Sequence, residues 1–261
     1  MPTKYSHLTS AALAAILTLT PLLATAHDGR RFRVEIDTTR QLIARGYNSN
    51  DRPVDPAGDR DYDNAIHDHW VNSTVGTTAS ATLPGYDLAP ETANTLSGYD
   101  LFWTLTGAQQ WVVSDPVTSE QADALTIDLQ PLDSGIELFA RIGTQTPVST
   151  STPGTLTLVA DIADDNGTDL DLLYEINAQP TDTLYLLEAV LSTNAPGIAD
   201  SETVYSIFSV DGSAFPMAER PANTRHWAAL RLEETLGTPV PEPAFMGTTL
   251  GVMALTMRRR K

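Results

Sequence analysis

The sequence predicts an all-β fold, an antiparallel β-sandwich or jelly-roll-like domain. Three observations carry that expectation. Apolar residues alternate with polar ones in short runs along most of the chain. The connections between runs are rich in Gly, Pro, Asp, Asn, Ser and Thr, the residues that make turns. No amphipathic helical pattern separates the runs, so a parallel α/β sheet is not expected.

Taken in order, the alternation predicts strands at Phe32–Ile36, Gln41–Tyr47, Ser80–Leu83, Leu101–Thr106 and Leu125–Leu129. Further strands are predicted at Ile136–Ile142, Thr155–Ile162, Leu170–Ile176, Leu184–Leu191 and Thr203–Phe208. Asn166-Gly167 is a strong turn signal. The segment Asn48–Ala79 shows little strand character and reads as a long loop. Pro147–Pro153 is the best candidate for an internal boundary. His226–Leu236 is ambiguous: Trp227, Leu230 and Glu234 fit one helix face, whereas Ala228, Leu230 and Leu232 alternate as in a strand. One short helix before the C-terminal tail is therefore compatible with the pattern.

Composition narrows the function classes. The chain has 261 residues, 16 Lys and Arg, 33 Asp and Glu, and no cysteine. A disulfide scaffold, a thiolate nucleophile and a Cys-ligated metal are excluded. Five basic residues lie in the two ends (Lys4, Arg258, Arg259, Arg260 and Lys261), which leaves 11 for residues 27–238, all arginine. With 32 acidic residues in that stretch, its charge is near −21 and it holds no lysine. Such a surface repels nucleic acid and attracts cations. Gly-x-Ser-x-Gly and a phosphate-binding glycine loop are both absent.

Both ends read as sorting segments. Residues 1–26 form a secretory signal: Lys4, an apolar stretch Ala11–Leu23, and the small-x-small site Ala24-Thr25-Ala26, so the exported chain would begin at His27. Residues 239–261 contain Val240-Pro241-Glu242-Pro243-Ala244, an apolar segment Phe245–Met257, and the cluster Arg258-Arg259-Arg260-Lys261. Positive charge after an apolar segment follows the positive-inside rule, and the prolines delay the helix until after Pro243. The 13 residues of the apolar segment would span about 20 Å against about 30 Å of hydrocarbon, a short and transient anchor.

This tripartite ending resembles the PEP-CTERM sorting signal of Gram-negative bacteria. The resemblance covers about 22 residues and assigns no family to the intervening domain, residues 27–238. It implies processing by signal peptidase and an exosortase-like enzyme. It also implies a transient inner-membrane anchor, then release to the cell surface or exopolysaccharide matrix. The leading expectation is a non-enzymatic surface or matrix module that binds polysaccharide or calcium.

Candidate chemistry is sparse. As an N-terminal residue, His27 could chelate copper through its amine and ring, with His67, His69 or His226 completing the site, as in lytic polysaccharide monooxygenases. This is the alternative expectation, a copper-binding protein or oxidative enzyme. The His67-x-His69-Trp70 string lacks the nearby third histidine of α-carbonic anhydrases and the following glutamate of cupins. Asp161, Asp164, Asp165, Asn166 and Asp169, with Asp171, form an acidic run around a turn that suits calcium, although the EF-hand spacing fails at Ile162. Trp70, Trp103, Trp111 and Trp227, with Tyr47, Tyr62 and Tyr86, could stack on sugars. Core packing is the better expectation for each of them; Trp103 reads as core most clearly, and Trp70 and Trp111 are the better exposed candidates. A hydrolase would need two carboxylates facing across a groove, and no spacing singles out a pair.

Overall fold

A computed structural model describes residues 30–48, 62–73, 79–82, 84–113, 121, 124–163, 169–177, 182–211 and 224–239. In chain order the first elements are β1 (Arg30–Ile36), β2 (Leu42–Asn48), β3 (Tyr62–Asp63), β4 (Ala65–Ser73), β5 (Ala79–Ala81), β6 (Gly85–Leu88), α1 (Pro90–Thr95) and β7 (Leu101–Val112). There follow β8 (Gln130–Pro131), β9 (Leu138–Arg141), β10 (Val148–Ser149), β11 (Thr155–Val159), β12 (Asp169–Leu170) and β13 (Leu173–Ile176). The last are β14 (Thr183–Thr193), β15 (Val204–Asp211), α2 (Thr224–Leu236) and β16 (Thr238–Pro239). The protein is all-β, as the alternation predicts, with the short helix α2 ahead of the tail.

The strands form two sheets. The smaller runs β12-β6-β1-β2-β3-β16. The larger runs β10-β9-β13-β5-β4-β15-β14-β7-β11, with β8 also paired to β7. Most pairings are antiparallel, but β1 with β6 and β4 with β15 are parallel. Period-2 alternation places side chains on faces and carries no strand direction, so the sequence could not show these two.

Inward residues of both sheets share one apolar core: Phe32, Val34 and Tyr86 from the small sheet, and Trp103, Leu187 and Phe208 from the large one. A second cluster lies on the opposite face of the large sheet. There Trp111, Leu184, Leu186 and Ile207 meet Ala228, Ala229 and Leu232 of α2. The order is therefore small sheet, large sheet, helix. This layering explains β14. Thr183–Leu187 are buried on both faces, where the strand lies between core and helix, and simple alternation returns from Glu188 onward.

Several expectations are corrected. Leu125–Leu129 is not a strand. Its alternation is real, because Leu125, Ile127 and Leu129 are half-buried against the helix-side cluster, but no described strand pairs with it. Part of the stretch read as a long loop forms β3 and β4, the latter paired in parallel with β15. The predicted strand Leu170–Ile176 is two strands, interrupted at Asp171 and Leu172. Trp111, one of the two better candidates for exposure, is buried as core packing has it, in the cluster that Ala228, Ala229 and Leu232 of α2 join. The helix also turns a different face inward from the one read: Ala228, Ala229, Leu232 and Glu233 are buried, whereas Trp227, Leu230 and Glu234 are only partly covered.

Two polar constructions hold the small sheet in place. Arg31 is 2% exposed. Its Nε donates to Asp87 Oδ1 at 2.8 Å and its Nη1 to Asp171 Oδ1 at 3.0 Å. One planar guanidinium thereby ties β1 to β6 and to the segment after β12. Gly85 is required beside it, since a Cβ there would lie 2.6 Å from both Nη1 and Nη2. Between the sheets, the Trp103 indole Nε1–H donates to Tyr86 Oη at 2.8 Å, and Tyr174 Oη–H donates to the Pro84 carbonyl at 3.0 Å. Burial pushes both phenols up from their ordinary range. They stay neutral and act as fixed hydrogen-bonding groups that register one sheet on the other.

Candidate ligand cleft

The sequence-predicted residues are dispersed. The signal site Ala24, Ala26 and His27 lies outside the described residues, as does the whole sorting motif from Val240 to Ala244 with Arg258, Arg259, Arg260 and Lys261. His67 and His69 fall on β4, where His67 registers opposite Ile207 of β15, and His226 falls on α2. Helix α2 packs on β4 and β15, so these two backbone segments are neighbours. The three histidine side chains lie outside the description.

The acidic run is divided among separate partners. Asp161 is exposed, has a left-handed backbone (φ 51°), and donates its N–H to Asp100 Oδ1 at 2.9 Å. Asp171 is committed to Arg31. Asp169 pairs its backbone with Asp87 on β6, and Asp164, Asp165 and Asn166 lie outside the described residues. No group of three or more His, Asp or Glu suited to a metal occurs among the described residues. Of the aromatic candidates, Trp103 and Tyr86 are core, Trp111 is buried and Trp227 is half-buried against the helix-side cluster. The side chains of Trp70, Tyr47 and Tyr62 lie outside the description.

The structure offers a different feature, a cleft of about 440 Å³ at the outer edge of β7. Its origin is local. Strand β11 pairs with β7 over Leu101–Thr104, and β8 pairs with it only at Gln109 and Gln110. The last bond on the β11 side runs from Leu105 N–H to the Gly154 carbonyl at 3.0 Å. Between these stretches the flanking chains diverge from the edge. The register of β7 on β14 also shifts here, from Ala189 opposite Leu105 to Glu188 opposite Gly107, which leaves Thr106 as the extra residue of a bulge. Gly107 suits the bulge, because a Cβ would lie 3.0 Å from Glu188 Oε2.

Leu105, Ala108, Leu132, Ile136 and Pro153 give the cleft an apolar floor and wall. Thr106, Thr150, Ser151 and Glu137 supply its polar rim. Glu137 is the one carboxylate among the lining residues. Its Oε1 accepts from the hydroxyls of Ser149 and Ser151. Ser149 Oγ is in turn within 2.7 Å of Thr152 Oγ1 and accepts the Thr152 N–H at 3.1 Å. These hydroxyl bonds, Ser149 first, hold the Glu137 carboxyl below its usual range. Such a group stays ionised and is a poor proton donor. Among its lining residues the cleft holds one carboxylate, where glycoside hydrolysis uses two.

Sequence reading missed this site. Pro147–Pro153, read as a boundary, is built into the fold: Val148 and Ser149 form β10 on β9 and are buried. The serines and threonines of that stretch were visible, but nothing in the spacing showed that they close on Glu137.

No family model, no curated protein and no solved structure matches the chain. None of the described helices is long and apolar enough to cross a membrane.

Proposed function

We propose that the chain is an exported, non-enzymatic β-sandwich protein delivered by an exosortase-like system to the cell surface or exopolysaccharide matrix of a Gram-negative bacterium. The observation that carries this reading is the ending Val240-Pro241-Glu242-Pro243-Ala244, an apolar segment and a basic tetrad, paired with a signal sequence ending at Ala26. The positive tetrad holds the last residues on the cytoplasmic side, and the short apolar segment presents the Pro-Glu-Pro motif on the other side for processing. The lysine-free, strongly acidic domain supports the reading in a second way. Charge near −21 keeps a protein soluble outside the cell, and it favours contact with a matrix through bridging cations or neutral sugars rather than through anionic groups.

The test is mass spectrometry of the full-length product expressed in a Gram-negative host with and without an exosortase-type enzyme. The expected mature form begins at His27, ends near Pro241–Ala244, and appears only when the enzyme is present. Glu242→Ala should leave the tail attached and the protein in the inner-membrane fraction. Retention of the tail in both hosts would sink the proposal.

A second reading rests on the site Ala24-Thr25-Ala26, which makes His27 the terminal residue. A terminal amine and imidazole bind copper(II), with a histidine of β4 or α2 as third ligand. Calorimetry with copper(II) on residues 27–239, with and without one added residue before His27, separates the readings. Tight binding abolished by the added residue supports copper. Equal weak binding leaves the surface module.

A further inference from the structure

We propose that the cleft beside β7 binds an organic cation, a primary ammonium or guanidinium group carried on an aliphatic stem. Three features of the cleft define that ligand. The floor made by Leu105, Ala108, Leu132 and Ile136 is apolar and suits methylene groups rather than a hydrated metal ion. At the rim, Glu137 supplies a carboxylate whose orientation is fixed by Ser149 and Ser151, so little ordering remains to be done on binding. Ser149, which holds it, is itself 2% exposed, so the anchor belongs to the folded core and not to a loose loop.

The third feature is the absence of an internal competitor. Carboxylates elsewhere that lie near arginines are paired, Glu35 and Asp63 with Arg45, Asp87 and Asp171 with Arg31, and Glu175 with Arg141, while Glu188 of β14 accepts from Gln109. Glu137 has no arginine partner among the described residues; its partners are hydroxyls, which donate hydrogen bonds without neutralising its charge. Residues 27–238 contain no lysine that could supply an ammonium group from within. A neutral sugar would satisfy the rim, but the cleft gives it no aromatic platform. An anion would meet Glu137 and the net charge of the whole domain.

Isothermal titration of the full-length protein in mild detergent at low salt, with cadaverine as the probe, tests the assignment. The neutral isostere 1,5-pentanediol is the first control, and Glu91→Gln, an exposed glutamate of α1 outside the cleft, is the second. Cadaverine should bind, 1,5-pentanediol should give no saturable heat, and Glu137→Gln should weaken cadaverine at least tenfold while Glu91→Gln leaves it unchanged. Methyl NMR provides a readout that needs no variant: cadaverine should shift the signals of Leu105, Leu132 and Ile136 selectively. A capped Ala-Lys-Ala peptide distinguishes the source, since tighter binding than cadaverine points to a lysine side chain of a partner and weaker binding to a free amine. Equal weakening in both glutamate variants, shifts spread over methyls elsewhere, or no binding at millimolar cadaverine would each overturn the proposal.

Discussion

Replacing Arg31 by methionine isolates the interaction that fastens the small sheet. The guanidinium is 2% exposed, whereas Asp87 and Asp171 are 26% and 28% exposed. Methionine fills similar volume without the charge, so the main loss is the cation that bridges the two carboxylates. Removing one partner of a fully buried pair costs about 3–5 kcal/mol. Because both carboxylates reach solvent, screening reduces this to about 2–3 kcal/mol. In urea, with a slope of about 2 kcal/mol/M, the midpoint should fall by about 1 M at unchanged slope. Gly85 provides the internal check. Gly85→Ala should destabilise the wild-type background by about 1–3 kcal/mol, since the new Cβ meets the guanidinium at 2.6 Å. In the Arg31→Met background that obstacle is a flexible thioether, and the cost should fall below about 1 kcal/mol. Tryptophan fluorescence during urea unfolding of residues 27–239 measures all four corners of the cycle. A loss under about 0.5 kcal/mol for Arg31→Met, or strict additivity with Gly85→Ala, would refute the clamp.

Three further predictions concern the helix layer, the cleft and an edge ion pair. Leu232→Ala, at a fully buried position between α2 and the large sheet, should cost about 2–5 kcal/mol and shift Trp111 emission to the red, read by fluorescence and urea titration. The Glu137 carboxyl should titrate below an ordinary glutamate in carbon-detected NMR, and Ser151→Ala should raise its midpoint; its contribution to stability is present above the unfolded-state value and lost as pH falls through the folded one. Asp63 behaves oppositely: burial, only partly offset by Arg45, raises its folded value, so stability falls as pH rises through the window above the unfolded value. Arg45→Lys, which loses the fork that reaches Glu35 at 3.2 Å and Asp63 at 2.7 Å, should therefore destabilise by about 1 kcal/mol near pH 7 and by less near pH 4, measured as paired urea midpoints.

The fold was legible wherever one face of a strand is wet. Strand β2 and the first half of β7, Leu101–Leu105, alternate cleanly, because the sandwich core takes every second residue and the others are less covered. Two-sided burial did not by itself hide a strand, since Leu184–Leu191 and Thr203–Phe208 were read as strands; legibility failed at β4 and at Leu125–Leu129. In β4, Ala65 and Ile66 are adjacent and both buried, which breaks the alternation. Its identity as a strand comes from parallel pairing with β15, more than a hundred residues later in sequence. Leu125, Ile127 and Leu129 show the reverse failure. Their pattern reports a covered face correctly, but strand formation also needs a partner edge. In α2, alanines do the packing, and small residues at a close helix–sheet contact weigh little in any hydropathy pattern.

The cleft was illegible for a related reason. Its parts are individually unremarkable: a bulge at Thr106, a glycine at 107, a serine-threonine turn and a glutamate twelve residues before Ser149. What makes a site of them is the ending of two ladders, β11 and β8, on one edge of one strand. Where each ladder stops depends on tertiary register, which no local spacing encodes. The charge of the domain, by contrast, was visible at once, but not how it is shared among partners. Within the aspartate run, Asp171 is tied to Arg31 and the backbone N–H of Asp161 bonds Asp100, while Asp164, Asp165 and Asn166 lie outside the described residues. Arginine, able to bridge two carboxylates at once, takes several of the acids at strand contacts, while Glu188 of β14 accepts from Gln109 of β7. Glu137, whose partners are hydroxyls rather than an arginine, stands over an apolar floor, and that surrounding, not the net charge, selects an organic cation over a metal ion.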